Sequence, residues 1–98
     1  MTENELKRIV LARAYARGWS VYHHPMATVR GSQGKGYPDL TLARRLMDAD
    51  PEILFIELKQ DKGKLTEDQE RWGWMLSDRW HVIRPADIHD AALERLLQ

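Results

Sequence analysis

The sequence predicts a mixed α/β layer structure, and three observations predict it. Segments with the two-residue alternation of strands, Asp39 to about Arg44 above all, lie between segments whose apolar residues recur at helical spacing. The run Ile53-Leu54-Phe55-Ile56 offers no polar side and reads as a strand covered on both faces. A chain of 98 residues with 43% hydrophobic content has room for one domain, which at this size buries roughly 60–70% of its unfolded surface. No repeat, low-complexity tract or linker divides it, so residues 1–98 are read as a single unit.

The first element runs from Thr2 to about Arg17. Thr2 and Glu5 stand at capping-box spacing, Leu6, Ile9, Val10 and Ala14 make an apolar stripe, and Gly18 ends the helix. Trp19 to His24 is short and rich in strand formers, with Pro25 as its stop. Residues 31–36 form a glycine-rich loop before the strand at Asp39–Arg44. A turn around Asp48–Pro51 leads to a second strong strand, Ile53–Lys59. The polar loop Gln60–Leu65 follows, and Thr66 caps a helix to about Asp78 whose early Glu67 and Asp68 suit its dipole. His81–Arg84 is a last strand before Pro85, and Asp87–Leu97 a closing amphipathic helix. The order is α-β-β-β-α-β-α.

Composition excludes several classes. The absence of cysteine removes a disulfide scaffold and any thiolate zinc or iron–sulfur site. The apolar fraction argues against disorder, no apolar run approaches the ~20 residues of a membrane span, and no secretory leader pattern opens the chain. The expectation is a soluble protein of the cytoplasm. Fifteen basic and fifteen acidic residues cancel, but unevenly. Residues 1–45 carry eight Lys/Arg against three Asp/Glu, and residues 46–98 carry seven against twelve. Such asymmetry suits one face that attracts phosphate, and equally an uneven solvated surface.

Chemistry is concentrated at the end of the second strong strand. Glu57 and Lys59 are two apart and share a face, while Leu58 points the other way. If Asp39–Arg44 and Ile53–Lys59 pair antiparallel, a register whose paired numbers sum to 96 or 98 sets Asp39 opposite Glu57 or Lys59. Opposed side chains lie about 5 Å apart, and two carboxylates that close repel by up to roughly 4 kcal/mol at an effective dielectric near 20. Folding then favours a raised carboxyl pKa or a cation between the pair. Oxygen ligands without cysteine favour a hard ion, Mg2+ or Mn2+, and a site of this kind suits metal-assisted hydrolysis. The plainer alternative is a Glu–Lys surface pair at a frayed strand end, with Asp39 a turn residue after Pro38.

Gly36-Tyr37-Pro38-Asp39-Leu40, Phe55-Ile56-Glu57-Leu58-Lys59, and Gly63-Lys64-Leu65-Thr66 with Gln69 resemble the PD-(D/E)XK nuclease superfamily, and within it the VRR-NUC (virus-type replication–repair nuclease) branch. The Asp…Glu-x-Lys pattern alone is weak; the flanking Gly-x-Pro-Asp-Leu and Leu-Thr-x-x-Gln make it specific. The resemblance covers nearly the whole chain and implies a restriction-endonuclease-like αβββαβ core with an extra C-terminal helix. It implies a metal-dependent DNA endonuclease in which Asp39 and Glu57 hold the ion, with the Leu58 backbone carbonyl completing the set. Lys59 is then the catalytic lysine and Gln69 supports the site. An acidic residue on the first helix often assists in such nucleases, and Glu5 matches it. Glu5 and Gln69 also stand where capping boxes with Thr2 and Thr66 require them, so Glu5 has two readings, and for Gln69 both roles can coexist. Stand-alone domains of this branch resemble homodimeric resolvases of four-way (Holliday) junctions in DNA repair; flap, nick or single-strand cleavage and a non-catalytic DNA-binding module are the alternatives.

Arg30, Ser32, Lys35, Lys62 and Lys64 flank the expected site in two glycine-containing loops, where cations and backbone amides can approach DNA phosphates. His23 and His24 do not make a zinc pair, since neighbours on a strand face opposite ways. Trp72, spaced with Met75 and Leu76, is expected in the core. Trp74, on the other side of that helix, is expected to be exposed and to suit a dimer contact.

Overall fold

The computed structural model describes residues 1–24 and 34–98. The elements are α1 (Glu3–Ala16), β1 (Ser20–His23), β2 (Leu40–Arg44), β3 (Glu52–Leu58), α2 (Glu67–Leu76), a 3-10 turn (Ser77–Arg79), β4 (Trp80–Ile83), α3 (Pro85–His89) and α4 (Ala92–Leu97). The sheet has the order β1-β2-β3-β4. The first three strands are antiparallel, and β4 runs parallel to β3 after the α2 crossover. This is the mixed α/β architecture that the patterning predicts, and it is compatible with the PD-(D/E)XK-like fold.

One sheet face carries the core. Leu40, Leu42, Ile56, Leu58 and Ile83 project from it onto Leu6, Val10 and Ala14 of α1 and Leu93 and Leu97 of α4, all of them buried. Each such large side chain contributes roughly 1.5–3 kcal/mol by leaving water. α1 begins as the spacing predicts: Glu5 N donates to Thr2 Oγ1 (3.1 Å) and Thr2 N to Glu5 Oε1 (3.1 Å). It ends at Gly18, whose φ of +81° lets the chain reverse so that Trp19 N reaches Ala14 O (3.1 Å). Trp19 is buried; its indole donates to Leu97 O (3.0 Å), and the Arg44 guanidinium lies 4.2 Å over its ring.

The opposite face is covered by α2. Gly73 is obligatory there, because a Cβ would sit 2.6 Å from Trp80 ring carbons. Trp72 is half-buried rather than a core residue, packing edge-on against Tyr37 (centroids 4.7 Å apart) and donating to Lys35 O (3.0 Å). Trp74 is 82% exposed, as its helical position predicts.

The C-terminal segment departs from expectation. In place of one helix over Asp87–Leu97, the chain forms α3 and α4. α3 starts earlier, at Pro85, because Pro suits a first helical position and Asp87 Oδ2 accepts from Arg84 N (2.7 Å). The break comes where Asp90 Oδ1 takes Ala92 N (2.9 Å) and Ala91 turns left-handed at φ +66°. α2 likewise stops at Leu76, two residues short, where Ser77 adopts φ +58°.

Candidate active site

The register of β2 against β3 places the candidate residues. Leu40 faces Ile56 and Thr41 faces Phe55, so the paired numbers sum to 96 and Asp39, one residue before β2, falls opposite Glu57. Leu40 and Ile56 belong to the core face; Asp39 and Glu57 therefore share the α2 face. Asp39 follows buried Pro38 and turns one carboxylate oxygen, Oδ2, onto Leu58 N at 2.8 Å. That bond ties the end of β3 to the loop entering β2.

Glu57 is only 3% exposed. Its Oε2 accepts from Gln69 Nε2 at 3.3 Å, and its Oε1 is buried without a hydrogen-bond donor among the described residues. The neighbouring Asp39 is another acceptor, so the two carboxyls bond only if one of them holds a proton. Burial, a hydrogen bond to Asp39 and the Asp39 charge push the Glu57 carboxyl up to about 9; Lys59 opposes this and Glu3 adds to it. Of the two outcomes expected for facing carboxylates, a raised carboxyl pKa is the direction in which the surroundings of Glu57 push.

Gln69 serves two purposes at once. Its Oε1 accepts from Thr66 N (2.9 Å) and its backbone N donates to Thr66 Oγ1 (3.1 Å), which completes a capping box and leaves Nε2 for Glu57. The start of α2 and the buried carboxylate are thereby one hydrogen-bonded unit. The turn before Asp39 docks on the same helix start. Gly36, at φ +81°, lies so close that a Cβ would come within 2.5 Å of the Asp68 backbone carbon.

A cleft of about 150 Å³ opens beside Asp39 and Leu58, walled also by Glu3, Asn4, Lys7 and His23. The acidic residue of α1 that lines this cleft is Glu3. Glu5 is an exposed cap residue: hydrogen bonds from Thr2, its backbone N–H first and its hydroxyl second, hold the Glu5 carboxyl below the usual range. His23 belongs to the cleft wall, whereas His24 turns away to bond Thr41 Oγ1 (2.8 Å) and pack between Tyr22 and Tyr37. The two histidines do diverge, as the strand alternation requires.

Lys59 follows β3, with its N–H on Ile83 O (3.0 Å), and is half-buried near Glu57. Lys62 and Lys64 are exposed in the following loop, and Lys35 is 71% exposed in a long ion pair with Asp68 (3.5 Å). Arg30 and Ser32 lie outside the described residues. Among the described residues, no group of three or more His, Asp and Glu side chains converges as a metal cage. A pair of carboxylates suits magnesium, which keeps most of its waters and takes one or two protein carboxylates.

The mixed sheet thus brings an Asp, a buried Glu and a following Lys to one strand end, with a helix glutamine hydrogen-bonded to the Glu. The VRR-NUC domain family model matches residues 2–83, and the chain belongs to that family, a family of nucleases. Comparison with curated proteins and with solved structures gives no match.

Proposed function

We propose that the chain is a divalent-metal-dependent DNA endonuclease that resolves four-way junctions as a homodimer. The observation that carries the metal reading is Glu57 Oε1, buried beside a second carboxylate with no donor for it among the described residues. A buried acceptor of this kind is costly unless a proton or a cation fills the gap. Asp39, Glu57 and the Leu58 carbonyl would hold Mg2+ or Mn2+. When bound, such an ion supplies Lewis acidity toward a phosphodiester oxygen and a lowered pKa for water.

The chain's own residues do the rest. Gln69 keeps Glu57 oriented through Oε2, and the Asp39–Leu58 bond keeps Asp39 at the cleft mouth. Lys59 orients the attacking water and helps remove its proton. Lys35, Lys62 and Lys64, with Arg30 and Ser32, are the proposed contacts to the DNA backbone. Lys35 is suited to this because an exposed ion pair is worth little and yields readily to phosphate. A two-fold dimer would present two sites to a two-fold junction and make paired nicks.

The test is cleavage of a synthetic four-way junction with Mg2+ or Mn2+, run beside flap, nicked, single-stranded and linear DNAs and beside Asp39→Asn. Metal-dependent junction cleavage that Asp39→Asn abolishes is the expected result. Preference for a flap retires the resolvase reading and leaves the nuclease; no cleavage of any substrate leaves a DNA-binding module.

A further inference from the structure

The loop that follows Lys59 is held by one side chain from beyond the matched segment. Arg84 lies just past residue 83, where the family match ends. It is half-buried, and its Nη1 donates to Gln60 O (2.5 Å) and Gly63 O (2.7 Å), with Asp61 O at a longer 3.4 Å. Nη1 has two hydrogens, so the two short bonds use both. The loop closes on itself through Gly63 N to Gln60 O (3.0 Å), and Asp61 Oδ1 accepts from Ala86 N (3.0 Å). Arg84 is itself fixed, its own N–H capped by Asp87 Oδ2 at 2.7 Å. A polar loop between a strand and a helix would otherwise be among the more mobile parts of the chain.

At Gly63 this loop approaches Lys59. A Cβ there would stand 3.5 Å from Lys59 Cδ, in van der Waals contact, so the loop passes close beside the lysine's aliphatic stem at that point. Lys59 is anchored at its own N–H to Ile83 O, the residue before Arg84. A lysine stem carries several free rotations, and an ammonium that must serve one reacting atom needs them restricted.

We propose that Arg84 is a positioning residue for Lys59: by clamping the Gln60–Gly63 loop, it holds the lysine stem and sets where the ammonium stands. The inference rests on the reading of Lys59 as the catalytic lysine, and it adds a residue outside the family's Asp…Glu-x-Lys pattern.

The test uses Arg84→Met, which keeps the stem and removes the donors, Arg84→Lys, and each combined with Lys59→Ala. Hydrogen exchange should show protection lost at the Gly63 amide in Arg84→Met while β3 amides stay protected. Unchanged exchange there overturns the clamp. In single-turnover junction cleavage, Arg84→Met should slow the reaction about tenfold, the scale for groups that orient a site's own ligands. Junction affinity measured with Ca2+ should stay as in the wild type, and Arg84→Lys should recover part of the rate. Lys59→Ala should cost much less in the Arg84→Met background than alone, the signature of coupled residues. Costs that simply multiply overturn the positioning role. Asp61→Ala, at an exposed position, loosens the same loop and must slow cleavage in the same direction if Arg84→Met does not fold. A wild type that cleaves nothing would sink the nuclease reading, and the exchange measurement would still decide the clamp.

Discussion

Burial and the neighbouring Asp39 push the Glu57 carboxyl up to about 9, and stability must follow. In the unfolded chain it titrates near 4.5, in the folded chain at about 9. Between those values the folded state binds a proton that the unfolded state has released, so stability falls as pH rises, by at most about 1.4 kcal/mol per unit. Thermal melts in EDTA should therefore show a lower Tm at pH 8.5 than at pH 5.5, with Mg2+ restoring part of the loss at the higher pH. Glu57→Gln, neutral at both, should flatten that slope and show no Mg2+ effect; a slope that persists in the variant would place its origin elsewhere. The same variant should have no nuclease activity, while Lys59→Ala should lose roughly 10²–10⁴-fold in rate, the range for a proton-transfer group, with less effect on ion affinity by calorimetry. Glu57 and Lys59 were legible in the sequence because a charged pair ending an apolar strand is conspicuous. Glu3 was not: any residue of the first helical turn is a candidate until the helix axis is set against the sheet, and Glu5 had the better local pattern.

Helix α2 is where local and tertiary demands meet. Its capping box was readable from Thr66 and Gln69, and the box orients the Gln69 amide that reaches Glu57. The turn ahead of Asp39 packs on the same helix start, and Gly36 is the residue that permits it. Gly36→Ala should cost roughly 2–4 kcal/mol in urea unfolding, combining a left-handed backbone with a backbone clash. Gly34→Ala, also at positive φ but in open space, should cost only the backbone part. Equal losses would mean the contact with α2 is unimportant. The Ala91 break between α3 and α4 was not legible, since Asp87–Leu97 carries an unbroken amphipathic pattern. The left-handed step appears only once Asp90 caps Ala92 and Leu93 and Leu97 must reach the core.

For the whole molecule, zero net charge hides a local distribution. Lys35 lies in the loop that leads to Asp39, and Lys62 and Lys64 lie in the loop that follows Lys59. Replacing Lys35 or Lys62 by Ala should weaken junction binding and reduce the slope of log affinity against log salt by up to about 0.9 per lost phosphate contact. Binding isotherms between low and moderate salt check this, and unchanged slopes in both variants would put the DNA on another face. Exposed Trp74, with half-exposed Met75 beside it, is the surface from which a dimer contact is expected. Sedimentation of Trp74→Ser, monomeric where the wild type is dimeric, would support it.

By itself the sequence determined the class of fold, the order of its main elements and the two antiparallel strands that bring Asp39 and Glu57 to one end of the sheet. Alternation, an unbroken apolar run and capping residues are local signals, and each is strong here. Tertiary structure alone decided that the register sums to 96, that α1 offers Glu3 rather than Glu5, and that Arg84 reaches back across twenty-odd residues to hold the Lys59 loop. Those outcomes depend on burial and on distances between segments far apart in the chain. Only packing sets such distances, and burial beside Asp39 is what pushes the Glu57 carboxyl up.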